Sequence, residues 1–232
     1  VFAANPNIVS NPKPISQLSY KEMRELSYAG FTVLQPEALT PVYHAGIPVH
    51  IMNTNNPGAP GTMIVPNKDD KYRADNHMET VSGIACDNGF CTIYVSKYLM
   101  NREIGFGRKL LQILEDEGLS YEHIPSGIDN VSVILREEQL DEQKEMRVIN
   151  RIKDELQVDD IDLERNLALI IIVGERMRNT VGMAARATSA LAKANVNLEM
   201  INQGSSEISM MFGVKDVDAE NAVRALYKEF FE

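Results

Sequence analysis

The sequence predicts a mixed α/β fold of the α+β kind: two ferredoxin-like βαββαβ units, the first inserted in the second, behind a shorter α/β segment. The first observation is a duplication. Residues 92–135 and 169–212 align without a gap at an offset of 77, and eight of the 44 pairs are identical: Ile93/Ile170, Met100/Met177, Gly105/Gly182, Leu114/Leu191, Glu122/Glu199, Ile124/Ile201, Gly127/Gly204 and Ser132/Ser209. The register persists through Asp141/Asp218 and Arg147/Arg224. The second observation is that both copies read as βαββα, one strand short of a closed unit. The third is a spare strand at 81–86, just before the first copy.

The elements follow from hydrophobic periodicity and its punctuation. The first copy reads as strand 91–95, helix 105–117, strands 119–124 and 131–135, and helix 142–156; residues 161–164 then supply its fourth strand. The second reads as strand 167–173, helix 180–194, strands 196–201 and 208–214, and helix 219–231, where the chain runs out. The spare strand at 81–86 completes this second unit if the first is inserted within it. Upstream, 20–30 and 36–45 read as helices, and 48–52 and 62–65 as strands separated by an Asn-, Pro- and Gly-rich turn. The expected divisions are 1–65, a polar linker 66–79, the strand region 80–89, the first unit 90–165 and the second 166–232. The first segment is too small to support a core alone. It begins at Val1 with neither an initiator Met nor a signal peptide, so it is expected to be the tail of a domain.

Composition narrows the function. The net charge is −10 and the pI about 5.0, with Lys and Arg scattered, which disfavours nucleic acid and anionic membrane as partners. No apolar run approaches the roughly 20 residues of a membrane-spanning helix. A cytoplasmic protein is expected. Cys86 and Cys91, with His44, His50, His77 and His123, lack metal-site spacing, so no metal is expected on these side chains. Gly105-x-Gly107 followed by Arg108-Lys109 lacks phosphate-loop spacing and reads as a turn entering a helix. Met200, Met210 and Met211 read as packing residues.

Two stretches resemble a known family. Ile15-Ser16-Gln17-Leu18-Ser19-Tyr20-Lys21-Glu22-Met23, then Tyr28-Ala29-Gly30-Phe31-Thr32-Val33-Leu34-Gln35-Pro36, resembles the end of the aspartokinase catalytic domain, an amino-acid-kinase α/β domain. Gly46-Ile47-Pro48-Val49, Asn53-Thr54-Asn55-Asn56-Pro57 and Pro60-Gly61-Thr62 continue the match. The duplicated half resembles that family's tandem ACT domains, closing on Asn202-Gln203-Gly204-Ser205-Ser206-Glu207-Ile208-Ser209. The resemblance implies transfer of the ATP γ-phosphoryl group, with Mg2+, to the side-chain carboxylate of aspartate by an intact protein. It implies no catalytic residue and no cofactor in this chain, because the family's Lys-Phe-Gly-Gly strand and aspartate-binding residues lie upstream. A remnant of nucleotide binding is expected at Phe2, Asn5, Pro6, Asn7, Thr32 and Val33. In that stretch Ala3, Asn5 and Asn7 replace the family's hydroxyl, carboxylate and guanidinium, Thr32 a common Lys, and Gln35 a His.

The resemblance also implies a feedback amino acid bound by the ACT pair, a zwitterion whose two charges must both be met. Lysine is the expected effector, with threonine and methionine as alternatives, and the first unit is the expected site. Met100, Asn101, Gly105 and Phe106 form the turn into a helix whose open N–H groups suit a carboxylate. Glu122, His123, Ile124, Ser126, Asp129 and Asn130 are expected to face it, with Asp129 or Glu122 pairing with the ε-ammonium group. Arg178, Gln203 and Ser206 give the second copy different chemistry, and Ala184 replaces a Thr of threonine-binding relatives. A homodimer through the ACT domains is expected. A stand-alone amino-acid sensor without catalysis is the alternative.

Overall fold

The computed structural model describes residues 1–66 and 79–232. The expected linker at 66–79 lies outside the described residues apart from its two ends. The chain divides into two compact units, one made of Val1–Asp87 with Leu169–Glu232 and one of Asn88–Ala168. The inserted arrangement is therefore what the chain adopts.

In the inserted unit, strand β4 (Gly83–Ser96) pairs antiparallel with β5 (Asn130–Arg136), from Phe90 opposite Arg136 to Ser96 opposite Asn130. On its other side lies β6 (Asp160–Val173), whose neighbour Asp159 donates its N–H to Ser96 O at 2.9 Å. The inward positions alternate as a half-buried strand requires: Cys91, Ile93 and Val95 are buried, while Thr92 and Tyr94 are less so. Two helices close this core. In α3 (Phe106–Asp116) the buried residues Phe106, Leu110, Ile113 and Leu114 form one stripe. In α4 (Glu142–Leu156), Asp141 caps the start by accepting from Lys144 N, and Val148, Ile152 and Leu156 face inward. Arg151 ties the two helices together through Asp116 at 2.8 Å.

The enclosing unit contains the second copy: the end of β6, helix α5 (Met183–Lys193), β7 (Met200–Asn202), β8 (Ser209–Lys215) and helix α6 (Ala219–Phe231). Its missing strand is the beginning of β4. Ser82 N–H donates to Val173 O at 2.6 Å, so β4 and β6 run antiparallel here as well. The N-terminal segment belongs to the same unit. It has β1 (Gln17–Ser19), α1 (Tyr20–Tyr28), α2 (Leu39–Ala45), β2 (Val49–Ile51) and β3 (Thr62–Val65), with β3 central, parallel to β1 and antiparallel to β2. Leu18, Met23, Leu26 and Ile64 are completely buried. Ala3 O accepts from Ile84 N at 2.7 Å, and Lys13 N–H donates to the Tyr227 hydroxyl at 2.8 Å.

Several expectations need correction. The strands expected at 81–86 and 91–95 are one strand, as are those at 161–164 and 167–173. A single left-handed residue inside each, Gly89 at φ 83° and Asn166 at φ 59°, absorbs the irregularity without ending the strand. The strand expected at 119–124 is reduced to two bridges, His123 with Ile134 and Ser126 with Val131. Pro125 between them has no N–H to give a ladder. The strand expected at 196–201 shrinks to β7, and the helix at 36–45 becomes a 3-10 turn, Pro36–Ala38, followed by α2. The three-residue β1 was not expected.

Gly30, just past α1, shows how closely the segment packs. It sits at φ +109°, and a Cβ there would lie 2.5 Å from Cys86 O. Backbone strain and overlap act together at this position. Gly30→Ala is expected to cost about 3 kcal/mol, read as a lower denaturation midpoint with an unchanged m-value.

Candidate functional site

In the inserted unit, the expected effector residues fall into two groups. The turn after β4 contains Lys97, a 3-10 turn Met100–Arg102, and Gly105 at φ +82°, which opens α3 without a side-chain cap. No acidic residue occupies the first turn of α3, so its N–H groups face no competing carboxylate from that turn. Met100 and Phe106 are buried beneath this turn, while Asn101 and Gly105 are exposed. The loop Ser126 to Asn130 lies at the same end of the sheet. Asp129 O accepts from Lys97 N at 2.8 Å and from Ser96 Oγ at 3.3 Å, and Gly127 N donates to Asn130 O at 2.8 Å. Asp129 Oδ1 is buried with no hydrogen-bond partner among the described residues. An acceptor in that condition carries a desolvation cost that a cation would relieve.

Glu122, His123 and Ile124 do not join this group. Glu122 and His123 both donate backbone N–H to Ile134 O, part-way along β5, and the Glu122 carboxylate lies 3.5 Å from Arg136 Nε. Of the two, Asp129 is tied to the turn, through its backbone O, and the Asp159 carboxylate also reaches the turn by accepting from Tyr98 N at 2.6 Å. The sequence reading missed Glu103, whose carboxylate holds Lys97 at 2.6 Å and Lys109 at 2.9 Å. Hydrogen bonds from Lys97 and then Lys109 hold the Glu103 carboxyl below its ordinary range. Its charged state is therefore complete above about pH 4.5 and is lost as the pH falls through the lowered value. A Lys at the end of a strand with a Glu six residues on was the available signal.

The second copy has an open cleft of about 540 Å³ at the corresponding turn, lined by Met177, Thr180, Gly182, Ala184, Gln203 and Glu207 among others. Gly182 lies at φ +90°, matching Gly105, and Glu207 Oε2 accepts from Asn179 N at 2.8 Å. Arg178 and Ser206 are not among the lining residues, whereas Gln203 and Ala184 are.

In the N-terminal segment, the proposed nucleotide remnant is an exposed loop. Phe2 bridges to Pro14 and is 48% exposed, and Asn5 Oδ1 accepts from Asn7 N in a local turn. Pro6, Thr32 and Val33 are exposed, and no hydrogen bond joins Thr32 or Val33 to the Phe2 loop among the described residues. A separate cavity of about 360 Å³ is lined by Tyr20, Arg24, Tyr43 and His44 among others. Tyr20 and Tyr43 meet there edge to face at 5.6 Å, and the Tyr20 hydroxyl donates to Ile47 O.

Among the described residues, no group of three or more His, Cys, Asp or Glu is arranged to hold a metal, and no helix is long and apolar enough to cross a membrane. Burial, then the charges of Asp87, Asp216 and Glu220, pushes the Cys86 thiol up to about 12; burial is also the first cause that takes Cys91 to about 11.

An ACT-type fold joined to the end of an amino-acid-kinase domain defines the class. Residues 170–230 match the ACT domain family and residues 1–53 the amino acid kinase family. The chain is 59% identical over 231 residues to aspartokinase 3 of Bacillus subtilis, covering 100% of this chain and 50% of that protein. The crystal structure of Clostridium acetobutylicum aspartate kinase superposes with a TM-score of 0.88 at 46% identity, covering 99% of this chain and 52% of that one. E. coli aspartokinase III, solved with lysine and aspartate in its T-state, shares the fold at a TM-score of 0.77 and 22% identity, over 100% of this chain and 50% of that one. The chain belongs to the aspartokinase family, and it spans about half the length of the relatives it matches.

Thiols with pKa values near 11 and 12 are almost wholly protonated at neutral pH, and the thiolate is the nucleophile. Iodoacetamide at pH 7.5 is therefore expected to leave both cysteines unlabelled in the native protein and to label both in denaturant, as read by mass spectrometry.

Proposed function

We propose that this chain is the effector-sensing part of an aspartate kinase, and that the whole protein transfers the ATP γ-phosphoryl group, with Mg2+, to the side-chain carboxylate of L-aspartate. Its location in the family's C-terminal half supports this. The chain itself contributes no catalytic side chain; its part is regulation. The effector is lysine, bound by the inserted unit.

The observation that carries the effector assignment is Asp129. Its buried, unpartnered Oδ1 lies beside a turn whose following helix opens without a cap. The first-turn N–H groups of α3 suit the lysine α-carboxylate, and Asp129 suits an ammonium group, a charge-assisted bond. The lysine complex of E. coli aspartokinase III is consistent with that ligand class. An effector that prefers one arrangement of the protein over another shifts the population between them, with coupling typically of about 1 to 3 kcal/mol.

Two copies of the chain associate through the ACT units. Ile104 is 97% exposed and Ile128 71%, both at the end of the unit that holds Asp129, an apolar rim suited to burial against a partner.

Calorimetric titration is expected to give saturable heat with lysine and a Kd at least about tenfold weaker in Asp129→Asn, the scale of one charged hydrogen bond. Lysine silence, with heat from threonine or methionine, would overturn the assignment. Sedimentation is expected to show a monomer–dimer equilibrium that Ile104→Glu shifts to monomer; a wild-type monomer at every concentration would count against association.

A further inference from the structure

Glu22 does more than start a helix. Ser19-Tyr20-Lys21-Glu22 is a capping box: Ser19 Oγ accepts from Glu22 N at 3.2 Å, and Glu22 Oε2 accepts from Ser19 N at 2.9 Å. That motif uses one carboxylate oxygen and works on an open surface. Here Glu22 is completely buried, and its other oxygen reaches outside the helix. Oε1 accepts from Ser82 Oγ at 2.6 Å and from the backbone N–H of Glu175 at 3.0 Å. A buried carboxylate is tolerated only when such bonds answer it, so these groups are held firmly.

Both outer partners lead to a defined place. Ser82 enters the borrowed strand β4. Glu175 begins the 3-10 turn Glu175–Met177, and the cleft of the second copy starts at Met177. A relay of bonds continues through that turn: Met177 N to Gly174 O at 3.0 Å, Thr180 N to Met177 O at 2.9 Å, and Thr180 Oγ1 to Arg176 O at 2.6 Å. Gly174 has no room for a side chain, since a Cβ there would lie 2.2 Å from Thr80 O. On the other side, α1 contributes Tyr20 and Arg24 to the 360 Å³ cavity. One carboxylate thus bonds α1, which lines one cavity, to the turn that leads into the other.

We propose that Glu22 is a positioning residue for the second-copy cleft: it sets the turn 174–180, and through that turn occupancy of the cleft is felt along α1. This rests on the reading of the duplicated half as an amino-acid sensor, and it places a second point of communication in the unit that lacks Asp129.

Hydrogen–deuterium exchange on the full chain tests it. Glu22→Gln, which keeps the size and one acceptor oxygen, is expected to raise exchange about tenfold in peptides covering 19–26 and 174–183. Peptides within 88–168 should not change. Ser82→Ala, which leaves the capping box intact, should raise 174–183 without altering 19–26. A uniform rise over all peptides of the enclosing unit, or no rise, would reduce Glu22 to a structural residue and overturn the proposal.

L-threonine, L-lysine and L-methionine are then added one at a time. At least one is expected to protect 177–184 and, with it, 19–26 in the wild type but not in Glu22→Gln. Protection of the cleft without α1, or no protection of the cleft by any of the three, overturns the proposal. Lysine bound at Asp129 reads out separately at 97–106 and 126–130, so the two assignments fail independently.

Discussion

The second copy cannot close on its own, and the bond from Ser82 N–H to Val173 O supplies what it lacks. Without the beginning of β4, that side of β6 would expose unpaired backbone groups. The same borrowed stretch receives the N-terminal segment. Ile84 N reaches Ala3 O, Gly30 lies against Cys86, and Ser82 reaches Glu22. One stretch of chain therefore completes a sheet and seats a helix, and any change in it is felt by both.

The two copies furnish the corresponding end of the sheet differently. Position 97 of the first copy corresponds to 174 of the second, and 103 to 180. Lys97 and Glu103, with Lys109, form an ion cluster at the end of the inserted unit, whereas the second copy has Gly174 and Thr180 at those positions, and Thr180 lines the open cleft. Asp129 in the first copy corresponds to Ser206 in the second, so a carboxylate is present on one side only.

What the sequence revealed follows from local physics. Gly105 and Gly182 are paired in the repeat because both occupy left-handed positions, and Leu114 and Leu191 because both are buried in their helices. The turn at Met100 to Phe106 and the loop at Asp129 were legible together because strand ends and turn residues mark the same end of a sheet. Glu122 was misjudged because residue spacing in a predicted strand does not show which neighbour pairs with it; Arg136, 14 positions away, does. The capping box was not read from the sequence, although the Ser19 and Glu22 spacing marks it; the use of the second oxygen leaves no such mark, since Glu175 lies 153 residues away. The cleft was hidden for the same reason, its walls coming from two separate turns.

The enclosing unit is built from the two ends of the chain, with Lys13 bonded to Tyr227 across 214 positions and Arg224 to Ile8 across 216. The inserted unit needs nothing from residues beyond 168 to form its own core. During synthesis, the inserted unit is thus complete while the earlier segment still waits for its partner. Lys13 and Ile8 gain Tyr227 and Arg224 only after the inserted unit has its core, so this seam is the later of the two to form.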